Sequence, residues 1–316
     1  MKLLERTFEV CGPEGLGAKP RPEIIAPIFS KLHGTLQDAV RMGFLHSSRA
    51  RGRIPECLRA AADVRYVGHS SANEGSTMLR FEVPSFGSVA GELFGQKLIW
   101  EDSPQPEQTA FELLGAALGD VRKRRKDSNR FDAGFLNRIG TYRRMLNRGV
   151  ERIALPDTAV PDPGQIDSVA LIAASELSAA TPMSRRVRVA GRLDVMGASQ
   201  AVLKLDIKSG VALTAVWEGI LPIEELKDFF NRDVVIEGVG VFRPSGALLR
   251  VDADAIAFAG AQDEFFRQVP EPLVVPDYSP LTRLRPGEKP PFNRILGSIP
   301  AEETDEEFAA AVEALS

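Results

Sequence analysis

The sequence predicts an α+β fold: an N-terminal domain of mixed helices and strands, a small five-stranded β-barrel and an extended C-terminal tail. Three observations carry this. Residues 185–260 hold five apolar-alternating runs of strand length, separated by turn residues. Residues 35–146 mix helical spacing with two short β-rich runs. Two proline-rich stretches, around 155–164 and 268–291, separate these regions from each other and from the end of the chain. The predicted organisation is an α+β domain with a basic helical surface at 1–155, a linker or short helix at 156–184, the barrel at 185–262, a proline-rich linker at 263–291 and an acidic amphipathic tail at 292–316.

Gly12, Pro13, Gly15, Gly17, Pro20, Pro22 and Pro27 crowd the first 34 residues, too densely for a helix or a central strand. Gly12, Gly15 and Gly17 lack the spacing and the strand–turn–helix setting of a phosphate loop. From Thr35, read as an N-cap with Asp38 at the third helical position, Leu36, Val40 and Phe44 fall at helical spacing. A second helix begins at Pro55. Val64–Val67 and Met78–Val83 read as a hairpin around a loop at Ser70–Ser76. Helical stretches follow at Val89–Trp100, Glu107–Val121 and Phe131–Leu146. In the middle one Phe111, Leu114 and Leu118 line one face. In the last, Phe135, Leu136, Ile139, Tyr142 and Met145 form the buried side. Ile166–Ala180 reads as a short helix or small strand.

The barrel strands are Val187–Met196, Ala201–Ile207, Val211–Trp217, Val234–Phe242 and Leu248–Phe258. Helical spacing at Ile223–Phe230 falls between the third and fourth. This β-β-β-α-β-β order resembles the OB-fold by topology and length.

The chain of 316 residues is 44% hydrophobic and 26% charged, enough apolar material for packed cores. Its longest apolar run, Val169–Ala174, falls far short of the ~20 residues of a membrane span. Glu5 and Arg6 interrupt the position of a signal-peptide core. The sequence therefore predicts a cytoplasmic protein with no membrane partner, in which Cys11 and Cys57 are free thiols. Net charge is −4, unevenly divided: residues 1–155 carry 24 basic and 18 acidic side chains, residues 156–316 carry 15 and 25.

The basic excess concentrates in Arg122-Lys123-Arg124-Arg125-Lys126, followed by Arg130, Arg138, Arg143, Arg144 and Arg148. On one helical surface, Arg122, Arg124, Arg125, Lys126, Arg138, Arg143 and Arg144 would neutralise phosphates; the competing reading is a solvated face, or one paired with the acidic half of the chain. On the barrel, Arg186, Arg188, Arg192, Lys204, Lys208, Trp217, Arg243 and Arg250 are the candidate contacts, opposed by Asp194, Asp206, Asp252 and Asp254 and supported by few aromatics.

No catalytic set is visible. His33, His46 and His69 have no ligand-pair spacing, and Cys-x-x-Cys, Gly-x-Ser-x-Gly and phosphate-loop signatures are missing. Asp194, Asp252 and Asp254 read as exposed strand positions rather than cation ligands. No cofactor and no metal is expected, and the sequence predicts a non-enzymatic protein.

In the tail, Thr304-Asp305-Glu306-Glu307 is a capping box. Phe308, Val312 and Leu315 then share one helical face, with Ile295, Leu296 and Ile299 as a second apolar patch. A helix of this length needs a surface to dock on, in its own chain or in a partner. Three stretches together resemble a group of uncharacterised bacterial proteins of this size: Thr109-Ala110-Phe111-Glu112-Leu113-Leu114-Gly115, Val241-Phe242-Arg243-Pro244-Ser245-Gly246, and Ile295-Leu296-Gly297 with Glu303-Thr304-Asp305-Glu306-Glu307-Phe308. The tail is similar to the acidic C-termini of antitoxins that accompany PIN-domain ribonuclease toxins. That resemblance implies a protein partner, a PIN-domain ribonuclease toxin, restrained through Ile295, Leu296, Ile299, Phe308, Val312 and Leu315. The body is larger than a typical antitoxin and carries no ribbon-helix-helix or AbrB-like region. The alternative is a nucleic-acid-binding protein using the basic helical surface and the barrel.

Overall fold

The computed structural model describes residues 3–12, 16–49, 54–73, 75–94, 103–157, 164–197, 202–207, 211–219 and 223–273. All belong to the unit Met1–Pro276. The elements in chain order are β1 (Leu3–Cys11), α1 (Pro22–Leu45), α2 (Glu56–Ala61), β2 (Arg65–Asn73), β3 (Ser76–Pro84), α3 (Phe86–Val89), α4 (Ala110–Arg122), α5 (Ala133–Gly140), α6 (Arg143–Leu146), β4 (Arg152–Ala154), β5 (Gln165–Asp167) and α7 (Ser168–Ala180), followed by the barrel.

The first sheet runs β2-β3-β1-β4-β5 and is antiparallel throughout. Its centre corrects the expectation of an irregular N-terminus. β1 pairs with β3 over nine positions, from Leu3 with Pro84 to Cys11 with Ser76. Phe8 and Val10 are buried among the helices, with Phe8 edge-on to Phe111 at 5.4 Å between ring centres. The expected first helix is also longer. α1 starts at Pro22, a residue suited to the first turn because the N–H it lacks would have no helical partner there. Thr35 is therefore no N-cap. It is buried within α1, where its hydroxyl bonds the Lys31 carbonyl and the Tyr142 hydroxyl, each at 2.9 Å.

The hairpin at 65–84 forms as expected, with strands that extend into the expected loop. α4 has the buried face Phe111, Leu114 and Leu118 and a capping box in which the Thr109 amide donates to Glu112 at 2.7 Å. The helix expected over 131–146 is two, α5 and α6, whose buried side is Phe135, Leu136, Ile139, Tyr142 and Met145. Part of the stretch expected as linker belongs to the first core: β5 extends the sheet, and α7 buries Leu171, Ala173, Ala174 and Leu177 there. Gly164 makes this closure fit. A Cβ at this position would lie 2.2 Å from the Leu118 Cβ, so Gly164→Ala is expected to destabilise the fold by about 1–3 kcal/mol, read from urea unfolding curves.

The five strands of the barrel are β6 (Arg185–Gly197), β7 (Val202–Ile207), β8 (Val211–Trp217), β9 (Asp233–Phe242) and β10 (Leu248–Phe258). They close in the order β10-β8-β7-β6-β9, with β10 parallel to β8 and the other pairs antiparallel. This is an OB-like barrel. The element between β8 and β9 is a 3-10 turn, Ile223–Phe229. Alternation fills the interior with Val187, Val189, Leu193, Leu203, Leu205, Leu213, Val234, Ile236 and Val251. No helix among the described residues is long and apolar enough to cross a membrane.

Candidate functional site

The basic stretch folds into ion pairs with distant parts of the chain. Arg122, at the end of α4, meets Asp167, the residue that caps α7. Arg124 adopts a left-handed turn conformation, φ 51°, and reaches Glu176 at 2.6 Å. Arg125 and Arg130 both lie 2.9 Å from the buried Asp120, which also accepts from the Ser128 hydroxyl at 2.7 Å. Arg138 pairs with the buried Asp38. Burial pushes the Asp38 carboxyl above the usual range, against the pull of Arg138 and Arg41. Burial also pushes Asp167 up, but the Ala170 amide, Arg122 and Gln165 outweigh it and hold that carboxyl low. Among the residues expected to meet phosphates, Arg122, Arg124, Arg125 and Arg138 are thus engaged in ion pairs. Lys126 offers its carbonyl to the Ser245 amide at 3.3 Å. Arg143 and Arg144, on α6, are exposed.

The barrel's arginines are engaged as well. Arg186 forms a two-point pair with Asp254 at 2.5 and 2.8 Å. Arg192 donates to Asn231. Arg243 donates to Asn129 at 2.6 Å and to the Leu248 carbonyl at 2.7 Å. Arg250 is 4% exposed; it donates to the His46 carbonyl at 2.7 Å and to Asp132 at 3.2 Å, and pairs with Asp252 at 2.6 Å. Asp132 in turn caps α5 through the Phe135 amide and accepts from the Ser48 hydroxyl and amide. Burial raises the Asp132 pKa, but the Arg250 guanidinium and those hydrogen bonds prevail and hold it below the usual carboxylate range.

These contacts dock the β9–β10 turn on the first domain. In OB barrels the turn between strands four and five is one of the ligand-binding loops, together with the face of strands two and three. Here that turn is occupied within the chain. The exposed or half-buried side chains of β7 and β8 include Lys204, Asp206, Ala212 and Thr214, none of them aromatic, while Trp217 and Phe242 lie in the barrel core. Phe258 is exposed but packs on Phe229, 4.6 Å between ring centres. The described strands two and three therefore offer no stacking platform for a single strand.

A different surface stands out. After β10, the Gly260 amide donates to Asp263 at 2.8 Å and starts a 3-10 turn, Ala261–Phe266, that lies along β6. Phe266 sits under the Arg188 guanidinium at 4.9 Å. Arg188 is also 3.3 Å from Glu237 and 3.3 Å from Asp263. The chain then continues past Glu271, whose carbonyl takes two bonds from Arg185, at 2.8 and 2.5 Å. Between this segment and the barrel opens a groove of about 620 Å3, lined by Arg185, Arg186, Arg188, Phe265, Phe266 and Val269 among others. Phe265 is 75% exposed on it. Met183 and Leu273, two residues from either partner of the Arg185–Glu271 bond, are 88% and 80% exposed. Arg186 and Arg188 stand among the candidates read from the sequence; Met183 and Leu273 do not, and neither do Phe265 and Phe266. The signal for them was the Phe265-Phe266 pair itself, because in a single turn against one strand only one of two adjacent rings can face inward.

The described residues contain no group of three metal-ligating side chains. Asp252 and Asp254 bind Arg250 and Arg186 respectively. His33 bonds Gln37 and His69 bonds Tyr66. Neither Cys11 nor Cys57 is in a disulfide. The expected partner-binding residues Ile295, Leu296, Ile299, Phe308, Val312 and Leu315 lie outside the described residues, as do Lys208 and the Gly15 of the glycine-rich stretch. No protein-family model, curated protein or solved structure matches the chain.

Proposed function

We propose that this chain is a non-enzymatic interaction protein, antitoxin-like, that binds and restrains a protein partner through its C-terminal tail and the groove on β6. The observation that carries the reading is the groove. Three highly exposed apolar side chains, Phe265, Met183 and Leu273, flank arginines already held in place by ion pairs. Aromatic, Met and Arg side chains are the types enriched at the centres of protein interfaces. Arginines fixed in this way lose less side-chain entropy when a partner arrives.

The tail's similarity to antitoxin C-termini supports a PIN-domain ribonuclease as that partner. The test is inhibition: the full chain is expected to suppress the ribonuclease activity of such a toxin from the same host, and a 1–291 chain to suppress it far less. Equal inhibition by the two removes the tail from the account.

A second reading, nucleic-acid binding, is favoured by Arg143 and Arg144, which stand exposed where Arg122, Arg124, Arg125 and Arg138 are held in ion pairs. It predicts affinity that falls steeply with salt and is lost on Arg143→Glu with Arg144→Glu.

A further inference from the structure

A second cavity lies between the first turns of α1 and the end of α6. It encloses about 200 Å3, lined by Glu23, Ile24, Pro27, Lys31, Arg144, Met145, Arg148 and Val150. Ile24, Pro27, Met145 and Val150 make its apolar wall, with Met145 and Val150 buried. Its charged residues are Lys31, Arg144 and Arg148 against the single carboxylate of Glu23, a net of +2. Lys31 is positioned over the Tyr142 ring, 6.0 Å from its centre. Pro27 has no N–H to give the Glu23 carbonyl four residues earlier, so α1 leaves that acceptor without its helical partner beside the cavity. Most arginines of the basic stretch are spent on carboxylates of the same chain. Arg144 and Arg148 are instead exposed at the mouth of a cavity.

We propose that this cavity is a binding site for a phosphate monoester carrying a small apolar body. The charge selects the head group. A phosphate monoester carries about −1.5 to −2 near neutral pH, which matches the net +2, whereas a carboxylate or a phosphodiester brings a single charge. Arginine forks engage phosphate oxygens in pairs, and Lys31 adds a point charge. The apolar wall selects the body. A space of 200 Å3 equals about seven water volumes, room for a chain or ring of roughly six carbons. The monoester belongs either to a free small molecule or to the phosphorylated end of a nucleic-acid strand. The site shares no lining residue with the groove on β6, and the proposal stands independently of the protein-binding reading.

The test is isothermal titration calorimetry of the full chain with n-hexyl phosphate, inorganic phosphate and hexanoate. Hexyl phosphate is expected to bind one to one, with inorganic phosphate and hexanoate each weaker by at least ~10-fold, and Arg144→Gln with Arg148→Gln is expected to cost at least ~10-fold in hexyl phosphate affinity. Both arginines are exposed, so the double variant should melt with the wild type, and a coincident melt shows that any loss is local. Lack of saturable hexyl phosphate binding by the wild type, or undiminished binding by the double variant, overturns the proposal. The source is decided with oligothymidylate. Preference for the 5′-phosphorylated over the 5′-hydroxyl form assigns the site to strand ends. Equal binding of the two, with hexyl phosphate binding retained, assigns it to a free small molecule.

Discussion

Arg250→Ala is expected to lower the unfolding free energy by about 3–5 kcal/mol, because it leaves the buried Asp132 carboxylate without its counter-charge. Asp132 is 6% exposed and Arg250 4% exposed. Their contact, with the Arg250 bond to the His46 carbonyl, joins the barrel to the end of α1 and the start of α5. The loss is mostly the penalty of an uncompensated charge, so removing the charge as well should recover much of it. Arg250→Met combined with Asp132→Asn is therefore expected to be more stable than Arg250→Ala alone.

The pH dependence has a definite sign. Asp132 has a depressed pKa in the folded chain, so its contribution is fully present above the unfolded carboxylate pKa of ~3.9 and is lost as pH falls through the lower folded value. Arg250→Ala removes the strongest influence that lowers this pKa, so the depression shrinks. The gap between wild type and variant should thus be widest at neutral pH and narrow below about pH 4. Urea unfolding followed by circular dichroism at several pH values measures it. A gap that stays constant with pH would assign the effect to lost packing instead.

Phe265→Asp is expected to weaken partner binding by at least ~30-fold, the effect of removing a hot-spot aromatic worth about 2 kcal/mol. The same change should alter stability by no more than about 0.5 kcal/mol, because the ring is largely solvent-exposed in the free chain. Phe266 provides the contrast. It packs under Arg188, so Phe266→Asp is expected to lower the melting temperature as well as binding. Surface plasmon resonance of the partner against both variants, beside their thermal melts, separates interface from support. Unchanged affinity in Phe265→Asp removes the groove from the interface.

The barrel was legible because its signals are local. Alternation of Arg186 and Arg188 with Val187 and Val189, and the turn at Pro244–Gly246, are properties of neighbouring residues, and they survive into the closed five-stranded order. The buried face of α4 was legible for the same reason. β1 was not. Its residues are set in place by partners some seventy positions away on β3, and the glycines and prolines that follow it masked the strand. α1 is longer than its local signals suggest, because Pro22 and Pro27 count as breakers locally although the first occupies a helix start. The fate of the arginines was likewise hidden. Whether Arg122 and Arg138 face solvent or a carboxylate depends on Asp167 and Asp38, 45 and 100 residues distant. Composition showed only that acids were available in both halves of the chain. The groove at Phe265 depends on how a 3-10 turn settles against β6, and periodicity carries nothing about that.

The central claim is that this chain holds a protein partner and does so through its tail. The most direct test is affinity purification from the native host of the full chain beside a 1–291 chain, with mass spectrometry of the bound proteins and absorbance at 260 nm. The account predicts a small protein, a PIN-domain ribonuclease, recovered with the full chain and lost from the truncated one. Nucleic acid retained by both chains with no protein partner would contradict it.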